Sequence, residues 1–163
     1  MLVTVWRHGE AHPGSPDRER VLTERGSADL SRGAPGYVRE LARRGLVLPD
    51  RLLYSRWERT RQTAGHILDA IPGSLPSAED DSLIPGRDPE DVEAALAPLS
   101  EASPHILLVS HQPLVSDLID RWLGRQGEVP PLSPGAYAVL DLSFPAAGCA
   151  TVCWWSAPPE YAV

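Results

Sequence analysis

Three short strand-like runs, each ending in polar residues and each followed by a loop or a helical pattern, organise this chain. The first, Leu2-Val3-Thr4-Val5-Trp6, leads into Arg7-His8-Gly9. The second, Arg51-Leu52-Leu53-Tyr54-Ser55, enters after Pro49-Asp50. The third, His105-Ile106-Leu107-Leu108-Val109-Ser110, is apolar on both faces, as a central strand of a parallel sheet must be, and it stops at His111. Two further runs, Ala136 to Leu142 and Ala150 to Trp155, predict closing strands that are antiparallel around the Pro145-Ala146-Ala147-Gly148 turn.

The segments between these runs carry helical periodicity. Thr23 is placed as an N-cap, with Glu24 against the positive end of the helix dipole. The helix is expected to break at Ala34-Pro35-Gly36, to resume on Tyr37, Val38, Leu41 and Ala42, and to stop at Gly45. After Ser55, the positions Ala64, Ile67, Leu68 and Ile71 form one face of a second helix, and Arg59, Gln62 and Thr63 share another. The Pro, Gly, Ser and Asp content from Pro72 to Pro89 predicts a long irregular connection, and Pro89-Glu90-Asp91 opens a short helix. Val115, Leu118, Ile119 and Trp122 give a last helix that ends at Gly124. Strands alternating with helices predict an α/β class with a mostly parallel sheet.

Composition narrows the function classes. A chain of 163 residues with 42% hydrophobic content predicts one domain, 1–163. The net charge of −7 argues against nucleic-acid or anionic-membrane partners, so an anionic substrate has to be held by a local cluster of arginines. The N-terminal run is too short and too β-like for a signal segment, and no apolar run approaches ~18 residues, which predicts a cytoplasmic protein. Cys149 and Cys153 are expected to be reduced, because one extended strand would hold them roughly 13 Å apart.

The polar strand ends carry the candidate chemistry. In open α/β sheets ligands bind outside the carboxyl ends of the strands. Arg7 and His8, Ser55 leading to Arg59, and His111 all occupy such ends, and parallel neighbours bring them together. Two guanidiniums and two imidazoles around one point suit a tetrahedral dianion, since arginine presents paired planar donors that match phosphate oxygens. Gly9 lets main-chain N–H groups approach the same point. Phosphoryl transfer through a neutral imidazole nucleophile is the chemistry that uses this set. His8, Glu10 and His12 also invite a metal reading, but they lack the helical His-Glu-x-x-His spacing and Pro13 marks a loop, so no metal is expected.

Arg7-His8-Gly9-Glu10, Leu22-Thr23 with Gly26, Ser55-x-x-x-Arg59-x-x-Gln62-Thr63 and Val109-Ser110-His111 stand in the order found in the histidine phosphatase, or phosphoglycerate mutase-like, superfamily, which the chain resembles. The resemblance implies a three-layer α/β/α fold. It also implies a phosphorylated nucleophile at His8, in the so-called RHG motif, and a phosphate pocket of Arg7, Arg59 and His111, with no cofactor. Ser110-His111-Gln112-Pro113-Leu114-Val115 is similar to the small phosphohistidine phosphatases of the SixA type, which lack a cap domain. Gln112 stands where acid phosphatases of the superfamily have Asp, and Leu83-Ile84-Pro85 stands where mutase-like members have a Leu-x-Glu element. The general acid is therefore open among Asp17, Glu19, Glu79, Asp81 and none. Gly9, Glu10, Ser55 and Gln112 are the expected further substrate contacts.

The expected function is a protein phosphohistidine phosphatase. The alternatives are a phosphomonoesterase acting on a small phosphate ester with the same site, and a non-catalytic phosphate or phosphoprotein binder. Both a monomer and a homodimer are compatible with the sequence. Trp154-Trp155 sets adjacent indoles on opposite sheet faces, one for the core and one to be covered by a helix or a partner.

Overall fold

The strand-like runs meet in a six-stranded sheet in the computed structural model, which describes residues 1–162. The elements are β1 (Leu2–Arg7), α1 (Glu24–Arg43), β2 (Arg51–Tyr54), α2 (Glu58–Ala70), β3 (Ser77–Glu79), α3 (Pro89–Leu96), β4 (His105–Ser110), α4 (Leu114–Leu123), β5 (Tyr137–Leu142) and β6 (Ala150–Ser156). Their order across the sheet is β3-β2-β4-β1-β5-β6, with β5 antiparallel to both β1 and β6 and the remaining pairs parallel. Trp6 of β1 and Tyr54 of β2 both lie level with Val109 of β4. The next residues of all three strands therefore emerge along one edge.

Alternation along the buried strands explains why they read as continuous apolar runs. Val3, Val5, Leu53, Ile106 and Leu108 pack on one side with Val92 and Leu96 of α3 and with Val115, Leu118, Ile119 and Trp122 of α4. Trp6, Leu52, Leu107 and Val109 pack on the other with Leu30, Tyr37 and Leu41 of α1 and with Ala64 and Ile67 of α2. The result is a three-layer α/β/α fold. No described helix is long and apolar enough to cross a membrane.

Two elements differ from expectation. The α1 helix does not break at Ala34-Pro35-Gly36 but runs unbroken from Glu24 to Arg43, with Thr23 accepting the Gly26 N–H at 2.9 Å as its N-cap. Leu30, Ala34, Tyr37 and Leu41 form one buried face across the proline. Burying Tyr37 and Leu41 stabilises by about 1.5–3 kcal/mol each, which offsets the roughly 3 kcal/mol that an interior proline costs. The connection before α3 contains an edge strand, β3, whose Ser-Ala-Glu sequence is exposed throughout and offers no apolar alternation. Its partner is the open edge of β2. The 3-10 turn Asp81–Leu83 follows, and buried Leu83 plugs the core. Trp154 is buried, as expected of one indole, whereas Trp155, expected to be covered by a helix or a partner, is 40% exposed. Both cysteines are free thiols.

At the opposite end of β4, His105 is buried in a polar knot. Its Nδ1–H donates to the Val47 carbonyl at 2.7 Å, and its Nε2 faces the hydroxyls of Thr4 (2.9 Å) and Tyr37 (3.2 Å). Burial pulls the imidazole pKa down from 6.5 to about 4. The unfolded chain thus takes up this proton as pH falls through about 6.5, while the folded chain does so only near 4. His105 alone makes stability fall by about 3 kcal/mol across that window on acidification. Urea unfolding at pH 7 and pH 4.5 should show at least this loss, and His105→Gln should make it smaller by the His105 share. Equal stability at the two pH values in the unmodified protein would contradict the reading.

Candidate active site

The level ends of β1, β4 and β2 set Arg7-His8, His111 and Ser55 around one point, and the first turn of α2 adds Arg59. The main chain at His8 is pinned on both sides, donating to the Ser110 carbonyl at 3.0 Å and accepting from Gly135 N–H at 2.9 Å. Gly9 N–H donates to Thr63 Oγ1 at 3.1 Å, and Thr63 in turn donates to the Arg59 carbonyl at 2.7 Å. A side chain at Gly26 has no room, since a Cβ there would lie 2.2 Å from the Glu10 carbonyl oxygen. The start of α1 therefore packs directly on the loop after His8, and Gln62 fixes that loop by accepting Leu22 N–H at 2.8 Å.

His8 lies 2.7 Å by its Nδ1 from the Gly9 carbonyl, which can only accept, so Nδ1 carries the hydrogen and Nε2 a lone pair. Arg59 Nε–H donates to that lone pair at 3.1 Å. The Arg59 guanidinium is nearly buried and lies 4.8 Å over the Trp57 ring. Its Nη1 donates to the Asp17 carbonyl at 2.8 Å, and its Nη2 lies 3.4 Å from Asp17 Oδ2. Arg7 donates from Nη1 to the Leu132 carbonyl at 2.8 Å, while its buried Nε has no partner among the described residues. His111, 5.1 Å from the His8 ring, places Nε2 at 2.8 Å from Ser55 Oγ, and its buried Nδ1 likewise has no partner among the described residues.

Electrostatics keep both imidazoles neutral. Burial, and then the positive charges of Arg59, Arg7 and Arg20, bring His8 down to about 4 against the opposing pull of the Gly9 carbonyl. Burial comes first for His111 as well, with His8, Arg59 and Arg7 adding to it, and brings it to about 2. The arrangement offers an imidazole lone pair beside two guanidiniums and two unmatched buried nitrogens, a set suited to an oxyanion with several acceptor oxygens.

The expected residues are not all gathered. Arg7, His8, Gly9, Ser55, Arg59 and His111 converge. Glu10 instead accepts the Thr23 hydroxyl at 2.9 Å, and the Gly9 carbonyl, not Glu10, orients His8. Gln112 turns its Nε2 to Ser116 Oγ (2.7 Å) and to the Leu132 carbonyl (3.0 Å), the same carbonyl that holds Arg7. Of the four candidate acids only Asp17 touches the cluster. Its contacts with Arg20 and Arg59 hold its carboxyl below the usual range, and therefore ionised. Glu19 lines a neighbouring cleft of about 690 Å³ with Arg18, Arg56, Trp57, Glu58 and Ile84. Asp81 pairs with Arg56 at 3.4 Å, and Glu79 is exposed on β3. Sequence reasoning missed Trp57 and Arg20. Trp57 sits between Ser55 and Arg59 in the chain and packs its ring 5.2 Å from His111, and Arg20 closes the loop that overhangs β1.

No protein-family model matches the chain, and no curated protein does. Solved structures do match. A protein histidine phosphatase SixA complexed with tungstate superposes with a TM-score of 0.81 at 29% identity, covering 97% of each chain. A protein of Agrobacterium tumefaciens assigned to SixA gives 0.75 at 22% identity over 96% of this chain and 98% of its own. The alpha-ribazole phosphatase of Shigella flexneri gives 0.66 at 22% identity over 93% of this chain and 94% of its own. The last two likenesses are of fold, whereas the first joins fold, length and sequence over nearly the whole of both chains. All three of these neighbours are members of the histidine phosphatase superfamily, and the chain shares their fold.

Proposed function

We propose that this protein is a phosphohydrolase that works through a phosphoryl group carried on His8, and that its preferred substrate is phosphohistidine on a protein. The observation that carries the reading is the His8 lone pair, fixed at Nε2 by the Gly9 carbonyl, kept unprotonated at neutral pH, and set against Arg59 with Arg7 and His111 beside it. In the first step Nε2 attacks phosphorus, a P–N bond forms, and the bond to the leaving group breaks. Arg59 transfers its Nε–H from His8 to a phosphoryl oxygen, and Arg7 and His111 supply their unmatched N–H donors to the others. The Nδ1–H bond to Gly9 spreads the positive charge of the phosphorylated ring. In the second step water adds its oxygen to phosphorus and the P–N bond breaks. One of its hydrogens stays on inorganic phosphate and the other goes to solvent.

The substrate class follows from the leaving group. An alkoxide needs a proton donor, an aid of typically ~10²-fold to 10⁴-fold. Asp17, the one candidate acid at the cluster, pairs with Arg20 and Arg59, which lowers its pKa and disfavours its holding a proton to give. A phosphohistidine already protonated on its second nitrogen departs as neutral imidazole and needs no donor. The SixA neighbour at 29% identity supports the same choice. The cleft beside Trp57, open and of mixed charge, provides room for the polypeptide around the modified histidine.

A substrate panel tests this. Phosphohistidine and phosphoramidate should be hydrolysed with kcat/KM at least ~10²-fold above phosphoserine and sugar phosphates. A preference for the sugar phosphates would reassign the protein as a small-molecule phosphomonoesterase.

A further inference from the structure

We infer that Ser55 is a positioning residue that fixes His111 as its Nδ1–H tautomer, so that the buried Nδ1 presents a hydrogen, not a lone pair, to the phosphoryl group. The effect on catalysis rests on the phosphohydrolase reading above, but the tautomer itself does not.

Ser55 is fully buried, and its hydroxyl has one hydrogen to give and two lone pairs to receive with. Two groups among the described residues make hydrogen bonds with Oγ: the Trp57 backbone N–H at 3.4 Å and His111 Nε2 at 2.8 Å. The Trp57 amide can only donate. The hydroxyl hydrogen therefore has a single acceptor, Nε2, and the alternative tautomer would bury a serine hydroxyl with no acceptor at a cost of about 1–3 kcal/mol. With Nε2 receiving, the neutral ring carries its hydrogen on Nδ1. That nitrogen is the buried one that has no hydrogen-bond partner among the described residues, in a ring 5.1 Å from that of His8.

The surrounding structure holds Ser55 to this task. Its N–H donates to the Val109 carbonyl at 3.1 Å, which keeps the ends of β2 and β4 level. Its carbonyl accepts the hydroxyl of Thr60, itself fully buried, at 2.7 Å. Trp57 packs edge-on to the His111 ring, which limits its rotation away from Ser55. His111 thus differs from His8 in how its tautomer is set. A backbone carbonyl fixes the nucleophile, and a side-chain hydroxyl fixes the electrophilic donor, so the second can be altered by mutation without moving the main chain.

The test is nitrogen NMR on protein labelled with ¹⁵N-histidine, the His111 signals being assigned by their loss in His111→Gln. The unmodified protein at neutral pH should show a proton-bearing Nδ1 and a bare Nε2, and orthovanadate should shift the Nδ1 proton. A proton on Nε2 overturns the inference whatever the enzyme's activity. Ser55→Ala should give a mixture of tautomers and lower kcat by roughly tenfold to a hundredfold with KM little changed, the size of effect seen when hydrogen-bond partners that orient metal-ligating histidines are removed. A folded Ser55→Ala protein with unchanged kcat contradicts the catalytic consequence. If instead His8→Ala remains active while the His111 tautomer is as stated, the phosphohydrolase mechanism fails and the assignment of Ser55 stands.

Discussion

Replacing His8 with alanine should lower kcat/KM for phosphoramidate by at least about 10⁴-fold, the scale on which enzymes with a covalent intermediate respond to loss of the nucleophile. No neighbour can substitute. His111 has its Nε2 engaged by Ser55 and, on the tautomer argued above, a hydrogen on Nδ1, so it lacks a free lone pair in the pocket. The fold should survive, because the elements that meet at His8 are joined by main-chain bonds that the substitution leaves in place, including those to Ser110 and Gly135. Arg59 loses its bond to Nε2 but keeps both contacts with Asp17. Circular dichroism and a thermal melt alongside steady-state kinetics separate a dead enzyme from an unfolded one. Activity within tenfold of the unmodified protein would require a different nucleophile.

Arg59→Ala should cost about 10²-fold to 10³-fold in kcat/KM, as removal of a buried oxyanion donor does, and Arg59→Lys should recover little of it. The guanidinium uses three nitrogens at once: Nε on His8, Nη1 on the Asp17 carbonyl and Nη2 near its carboxylate. An ammonium cannot span those positions. The substitution also removes a positive charge that disfavours protonation of His8. The His8 pKa should rise from about 4 toward the ordinary value, so the acid limb of the kcat/KM profile moves to higher pH. A limb that stays in place, or a lysine variant within a few-fold of the original rate, would show that Arg59 does not face the reacting atoms.

The parts of this molecule that could be read from its sequence are those where burial dictates residue type. β1, β2 and β4 are sandwiched between helices on both faces, so they had to be apolar runs, and their polar terminators marked the edge along which Arg7, His8, Ser55 and His111 converge. Arg7, His8, Arg59 and His111 stood out for that reason and because their motifs fell in a known order. Pro35 misled because a local rule about proline was outweighed by a buried face that extends beyond it on both sides. β3 was unreadable because its pairing uses only main-chain groups at an exposed edge.

The finer architecture of the site escaped for a related reason. Asp17 reaches Arg59 partly through its carbonyl oxygen, which every residue possesses, and the Gly9 carbonyl that sets the His8 tautomer is equally anonymous. Gln112 sits next to His111 in the chain, yet the turn into α4 sends its amide toward Ser116 and Leu132. Adjacency along the chain is a poor guide where a strand gives way to a helix.

The central claim is that His8 carries the phosphoryl group, and rapid quenching tests it most directly. The protein is mixed with ³²P-phosphoramidate, stopped with alkali within a single turnover, and mapped by peptide. Label that is stable to alkali, lost in acid, located on His8 and absent from His8→Ala is the expected result. Full turnover with no labelled His8 at any quench time, or label on another residue, would contradict it.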